Sequence, residues 1–221
     1  MKPEWSGRLW LGPDYGLIIG ELGRTAPHAH YAHQLMQCLG EPITVSLEGQ
    51  VITAHRLLIP SRQTHAILDT HGEVSVLYAE PAVFEIAALQ HLSSAGDLSL
   101  TAVQQLPRRQ LVDPRLERAL SALDQRLTGK VSAQALAEVA HLSLSQLERL
   151  FTDQLGLPVR RLVLWRRLRV ALQWALAGST LTEAAHAAGF ADSAHFSRTM
   201  KQLFGVTAAA SLRQLEVQLL A

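Results

Sequence analysis

Between Arg8 and Glu80 the apolar residues recur at every second position, and Gly and Pro punctuate the chain densely. Ile43, Val45 and Leu47 alternate with Thr44, Ser46 and Glu48; Gly49-Gln50 marks a tight turn, and a second run, Val51 to Ile59, closes at Pro60. Val74, Val76 and Tyr78 alternate with Glu73, Ser75 and Leu77 ahead of Pro81. A period of two broken by turn residues predicts short, half-buried antiparallel strands in a sandwich or small barrel. The segment Ala82 to Leu92 is almost wholly apolar. It predicts a helix that buries more than one face, at a domain or dimer interface. Ser93 to Arg109 lacks periodicity and reads as a linker.

Beyond the linker the period becomes that of a helix. Asp113-Pro114 is a capping Asp followed by Pro at the first helical position; Leu116, Leu120, Leu123 and Leu127 share one face, and Gly129 ends it. A pattern then occurs twice, offset by 48 to 49 residues: Ala137…Leu147-x-Arg149-x-Phe151-x4-Gly156 and Ala185…Phe196-x-Arg198-x-Met200-x4-Gly205. In the first copy, Ser132 to Ala140 forms a helix and Ser145-x-x-Glu148 is a capping box opening the next. In the second, Thr180-x-x-Glu183 opens the first helix, Gly189 sits in the turn and Asp192 caps the following helix. Small residues at Ala137 and Ala185 let paired helices cross closely, with a short turn between them. This is helix-turn-helix geometry, which leaves a second helix available for a DNA major groove. The connector, Leu157 to Ala177, spans roughly 30 Å as a helix, close to one DNA turn of ~34 Å. Its arginines, Arg160, Arg161, Arg166, Arg167 and Arg169, cannot all face phosphate, so some pair with acids or line a helix seam.

Composition adds the class of protein. With 221 residues, 48% hydrophobic and 18% charged, the chain buries one large core or two small ones and is not disordered. No apolar run reaches the ~18 residues of a spanning helix, and Met1-Lys2-Pro3-Glu4-Trp5 lacks a signal core. Cys38 is the only cysteine, which favours a reducing, cytoplasmic setting, while the lack of a spanning run predicts no membrane association. The net charge of +1 conceals two opposite halves: residues 1–107 carry five bases against ten acids, residues 108–221 fifteen against nine. The basic half suits a polyanion.

Residues 115–213 resemble the DNA-binding domain of AraC/XylS-type transcription regulators. The resemblance rests on Leu136-Ala137, Ser145-x-Leu147-x-Arg149-x-Phe151, Gly156 and Arg167-Leu168-x-x-Ala171. Its longest string is Ala184-Ala185-x3-Gly189-Phe190-x-Asp192-Ser193-x-His195-Phe196-Ser197-Arg198-x-Met200-Lys201-x-Leu203-Phe204-Gly205-Val206-Thr207. His141 stands where the family commonly has Gly. After Thr207 the usual Pro and Tyr-Arg give way to Ala208-Ala209-Ala210-Ser211-Leu212-Arg213. The resemblance implies that Ser145, Gln146, Glu148 and Arg149 face DNA from the first recognition helix. Ser193, Ala194, Ser197 and Arg198 do so from the second, and Lys201 contacts the backbone. Arg149 and Arg198 suit guanine or phosphate, and Glu148 suits cytosine N4. Leu147, Phe151, Phe196 and Met200 are core.

In the acidic half, His28-x-His30-x3-Gln34 and Pro60-x-Arg62-x-x-His65-x3-Asp69 resemble the two cupin motifs, with Gln34 for Glu, Arg62 for Gly and Asp69 for Asn, and Gly40 one residue early. On a strand, His-x-His points both rings to one face, where His65 from a neighbouring strand can join them. His28, His30, Gln34 and His65 are therefore candidate effector or metal residues, with a divalent transition metal the candidate cofactor. His33, on the opposite face, reads as surface.

These readings give an α+β fold: a cupin-like antiparallel β-barrel with its interface helix over 1–92, a linker over 93–112, and an all-α double helix-turn-helix domain over 113–221. The expected function is a cytoplasmic, homodimeric, non-enzymatic regulator that binds double-stranded DNA and responds to a small-molecule or metal effector. The competing readings are a metal-dependent cupin enzyme with a helical appendage and a metal-sensing regulator.

Overall fold

The computed structural model describes residues 5–212 and 214–220, so residues 1–4, Arg213 and Ala221 lie outside it. The elements in chain order are β1 (Ser6–Leu11), β2 (Tyr15–Glu21), β3 (His33–Cys38), β4 (Ile43–Leu47), β5 (Gln50–Ala54), β6 (Arg56–Ile59), β7 (His65–Asp69) and β8 (Val74–Ala79). Helices follow: α1 (Ile86–Ala95), α2 (Leu100–Gln104), α3 (Pro114–Gln125), α4 (Ala133–Val139), α5 (Leu144–Leu155), α6 (Val159–Leu176), α7 (Leu181–Ala187), α8 (Ser193–Phe204) and α9 (Ala208–Ser211). A last strand, β9 (Gln214–Leu219), ends the series. The chain divides into two compact units, Met1–Arg109 with Ser197–Ala221, and Gln110–Phe196. The division falls inside α8.

In the first unit the strands form two sheets, β6-β3-β8-β2-β1-β9 and β5-β4-β7, consistent with the cupin-like β fold expected, with the barrel left unclosed. The reason lies in the run Val51 to Ile59, which is two strands. β5 pairs with β4 and β6 with β3, while the His55 carbonyl between them accepts the Cys38 N–H at 2.9 Å as the chain changes sheet. The larger sheet has two buried faces. Leu17, Leu35 and Leu77 lie in register on one and pack with Phe84, Leu89, Leu98 and Val103. Ile18, Met36 and Val76 lie in register on the other, also buried.

That packing revises the reading of Ala82 to Leu92 and of the linker. The helix begins only at Ile86, because Val83 and Phe84 N–H first turn back onto the Glu80 carbonyl. Leu89 is buried in the core of the first unit and Leu92 packs against it. Leu98 and Val103, within the stretch read as linker, belong to the same core, and Ser99 caps α2 by accepting from Ala102 N. The C-terminal segment also departs from an all-α reading: β9 lies parallel beside β1, with the Trp10 indole donating to Gln218 Oε1 at 2.9 Å.

The second unit holds α3 to α7 and the start of α8. Asp113 caps α3, accepting from Arg115 N at 2.9 Å, and Leu116, Leu120, Leu123 and Leu127 are all buried. The helix ends at Gln125, four residues before Gly129.

Candidate functional site

Each helix-turn-helix is set by its turn. In the first, His141 takes a left-handed φ of 57° and Leu142 N–H bonds the Ala137 carbonyl at 2.9 Å, ending α4. In the second, Gly189 takes φ 77°, and Phe190 N–H makes the equivalent bond to Ala185 at 2.9 Å. Ala137 and Ala185 are fully buried, as are Leu147, Phe151 and Phe196, and Met200 is nearly so.

The capping box of α5 sits two residues earlier than the sequence suggested. Ser143 is the cap: its hydroxyl accepts from Gln146 N at 3.3 Å, and Gln146 Oε1 accepts from Ser143 N at 2.9 Å. Ser145 is in the first turn, its hydroxyl 3.1 Å from that of Ser143. Two predicted base readers are thus engaged within the protein. Gln146 closes the cap, and the Glu148 carboxylate accepts from Val159 N at 3.3 Å, supplying the N-terminus of α6, whose Pro158 cap has no side-chain acceptor. Ser145 and Arg149 remain exposed on α5. On α8, Asp192 caps the first turn through His195 N at 2.6 Å, and Ala194, Arg198 and Lys201 are exposed, with Ser193 and Ser197 half-buried.

The connector arginines divide as their number required. Arg166 pairs with Asp124, and Arg167 donates to the Leu127 carbonyl at 2.9 Å and to that of Gly129. Arg160 and Arg161 are exposed and line a groove with Lys130, His186 and His195. Lys130 was not singled out by sequence reasoning; an isolated lysine in a turn carries no spacing signal.

The histidines form a separate site in the first unit. His28 and His30 lie in an extended stretch ahead of β3, not on a strand; His28 and His65 exchange backbone hydrogen bonds, both 2.9 Å, as an isolated antiparallel bridge. The rings of His28 and His65 are 4.2 Å apart, of His30 and His65 5.0 Å, and of His28 and His30 5.6 Å. All three side chains are buried, and one potential ligand atom from each lies within 4.8 Å of the others.

Their protonation follows from their partners. Each Nδ1 faces a backbone carbonyl: His28 that of Ala26 at 2.8 Å, His30 that of Ala32 at 2.9 Å, His65 that of Gln63 at 2.9 Å. Burial, with mutual repulsion of the rings second, pushes His28 down to about 4 and His30 to about 3, and burial lowers His65 too. A neutral imidazole has one N–H, and the carbonyls require it on Nδ1, so every Nε2 is a bare lone pair. The atom placed as Gln34 Oε1 lies 3.0 Å from His30 Nε2 and 2.8 Å from His65 Nε2. A half-turn of the amide exchanges its oxygen and nitrogen, and two bare acceptors select the NH2 facing them. His33 stands apart, half-buried, its Nδ1 accepting from Ser61 N at 3.0 Å.

Three residues that sequence reasoning missed complete the site. Tyr78 on β8 is in register with Gln34, and its ring lies 5.3 Å from that of His30. Phe204 lies 5.5 Å from His30 and 5.4 Å from Tyr78, ring to ring. The Gly205 carbonyl accepts from Ala26 N at 3.0 Å.

The chain thus carries two helix-turn-helix units in tandem after a two-sheet unit. Residues 136–214 match the family described as a helix-turn-helix domain. The probable transcriptional regulator LumQ of Photobacterium leiognathi is 34% identical over 86 residues, 38% of this chain and 35% of that protein. The HTH-type transcriptional regulator GlxA of Rhizobium meliloti is 29% identical over 170 residues, 73% and 48% respectively. The chain thus spans about half or less of the length of these relatives. Apo ToxT of Vibrio cholerae shares the fold, with a TM-score of 0.60 at 11% identity over 89% of this chain and 96% of that one. ToxT with a bound unsaturated fatty acid gives 0.57 at 12% identity over 88% and 93%. Among the described residues no helix is long and apolar enough to cross a membrane.

Proposed function

We propose that the protein is a one-component transcription regulator that reads double-stranded DNA through α5 and α8. The observation that carries this reading is the pair of exposed arginines, Arg149 and Arg198, at equivalent positions of two helix-turn-helix units. α6, eighteen residues long, separates the units by roughly 27 Å of helix, enough to serve successive major-groove turns. Lys130, Arg160 and Arg161 supply phosphate contacts. Ser145, Ser193, Ala194, Ser197 and Lys201 complete the DNA-facing set, while Gln146 and Glu148 act on the protein's own backbone.

The first unit is the sensor, cytoplasmic and homodimeric in the working protein, with the effector at His28, His30, Gln34 and His65. The enzyme reading loses ground because the histidine cluster carries an amide where redox-metal chemistry favours a carboxylate. The test is fluorescence anisotropy on DNA from upstream of the protein's own gene. Specific binding is expected to fall 10- to 100-fold with Arg149→Ala or Arg198→Ala, in line with ~1–3 kcal/mol per bidentate base contact. Equal affinity for scrambled DNA, unchanged by both substitutions, would end the proposal.

A further inference from the structure

We propose that His28, His30 and His65 bind one divalent transition ion of zinc, cobalt or nickel character, and that this ion is the effector, acting on α8 through Phe204 and Gly205. The claim that it is an effector rests on the regulator reading above; the binding site stands on its own geometry.

The donor set fits such an ion. Three imidazoles whose Nδ1–H groups are all held by backbone carbonyls have their ring orientations fixed and their Nε2 lone pairs free. Their ligand atoms already converge within 4.8 Å. No carboxylate belongs to the cluster, and neutral nitrogen donors favour borderline transition ions over magnesium or calcium. Gln34 serves either condition. With no ion, its NH2 satisfies the bare nitrogens of His30 and His65; with one, a half-turn turns its oxygen inward.

The site lies beneath the last turn of α8. The Ala26 carbonyl faces His28 Nδ1 at 2.8 Å, while the Ala26 N–H holds the Gly205 carbonyl at 3.0 Å. Gly205 has φ +68°, and a Cβ there would come within 2.3 Å of the Ala26 oxygen and 2.8 Å of His28 Nδ1, so no slack separates helix end from ligand. Phe204 lies against the His30 ring, tilted by 31°. Drawing His28 and His30 onto an ion therefore shifts the seat of both residues. The same helix carries Ser193, Ala194, Ser197 and Arg198 in its first two turns. An ion that prefers one seat of α8 over the other changes DNA affinity by that preference.

The experiment uses full-length, untagged, chelator-stripped protein, with Co²⁺ as the probe. A visible ligand-field band is expected to saturate at one equivalent and to vanish in His30→Gln and in His28→Gln, each checked for folding by circular dichroism. Affinity for the upstream DNA is expected to change at least ~5-fold on adding Co²⁺, the lower end of ordinary coupling between sites. Phe204→Leu, also checked for folding by circular dichroism, is expected to keep the cobalt band while shrinking that change. Absence of a stoichiometric band overturns the site. A normal band with unaltered DNA affinity overturns the effector role and leaves the site standing. A normal band with no specific DNA binding under any condition defeats the regulator reading, and the effector role with it.

Discussion

Phe204, the last residue of α8, lies against His30, their ring centroids 5.5 Å apart and their planes 31° from parallel. One face of the phenyl ring is thus committed to the histidine cluster, and Tyr78 meets it edge-on at 5.4 Å. Phe204→Ala removes both contacts and is expected to destabilise the protein by about 2–4 kcal/mol. Urea unfolding followed by circular dichroism reads the change, and Phe204→Leu is expected to recover at least half of it.

Among the described residues Glu48, Arg62 and His141 hold a left-handed φ without being glycine, and the last two stand at motif positions. His141 has φ 57° and Arg62 φ 68°, each where the related sequence motif has Gly. Replacing either by Gly relieves a left-handed conformation that costs a side-chain-bearing residue of the order of 1 kcal/mol, partly offset by the greater freedom of Gly in the unfolded chain. His141→Gly is expected to leave the melting temperature unchanged or raise it. Gly189→Ala provides the contrast: its Cβ would lie 2.9 Å from the Thr128 oxygen and 3.0 Å from that of Leu127, at φ +77°. It is expected to lower the melting temperature by several degrees, with both changes read by calorimetry.

Acid is expected to destabilise the metal-free protein through the histidine cluster. In the unfolded chain imidazoles protonate near 6.5, whereas folded His28 and His30 hold out to about 4 and 3. Their contribution is therefore complete above pH 6.5 and is lost as pH falls from 6.5 toward 3. Each imidazole adds a slope of about 1.4 kcal/mol per pH unit within that window. Urea midpoints at pH 7.5, 6 and 5 measure this, and His30→Gln is expected to flatten the dependence.

Glu148 separates the sequence reading from the geometry. A carboxylate that accepts from Val159 N at 3.3 Å supports the start of α6. Glu148→Ala is therefore expected to cost about 0.5–1 kcal/mol of stability, as loss of a helix-terminal acceptor does, with base preference at any C·G pair unchanged. A shift in preference, measured on single-substituted operators, would return Glu148 to the DNA-facing set.

The helical half was the more legible in sequence because its information is local. Ser132, Thr180 and Asp192 cap the helices assigned to them, since a cap needs only the next three residues. The error at α5 is itself local: Ser143 and Ser145 both begin a plausible box, and only the left-handed turn at His141 selects the earlier serine. In the first unit, strand positions were legible from alternation, but not the crossing at His55, because no Gly or Pro interrupts the run Val51 to Ile59. The histidines could be grouped by motif spacing. Their roof could not, since nothing in Phe204 or Gly205 announces contact with residues more than 170 positions earlier.

β9 pairs along its whole length with β1, and the residues joined by the Trp10–Gln218 hydrogen bond are 208 positions apart. The intervening chain contains all of α3 to α8. On the ribosome the first unit therefore cannot finish its sheet until α3 to α8 have emerged. At ~5–20 residues per second this leaves the edge of β1 open for ten seconds or more. An open strand edge is a template for pairing with other chains. A chain cut short within the helical half would thus carry a first unit with an uncovered, adhesive edge.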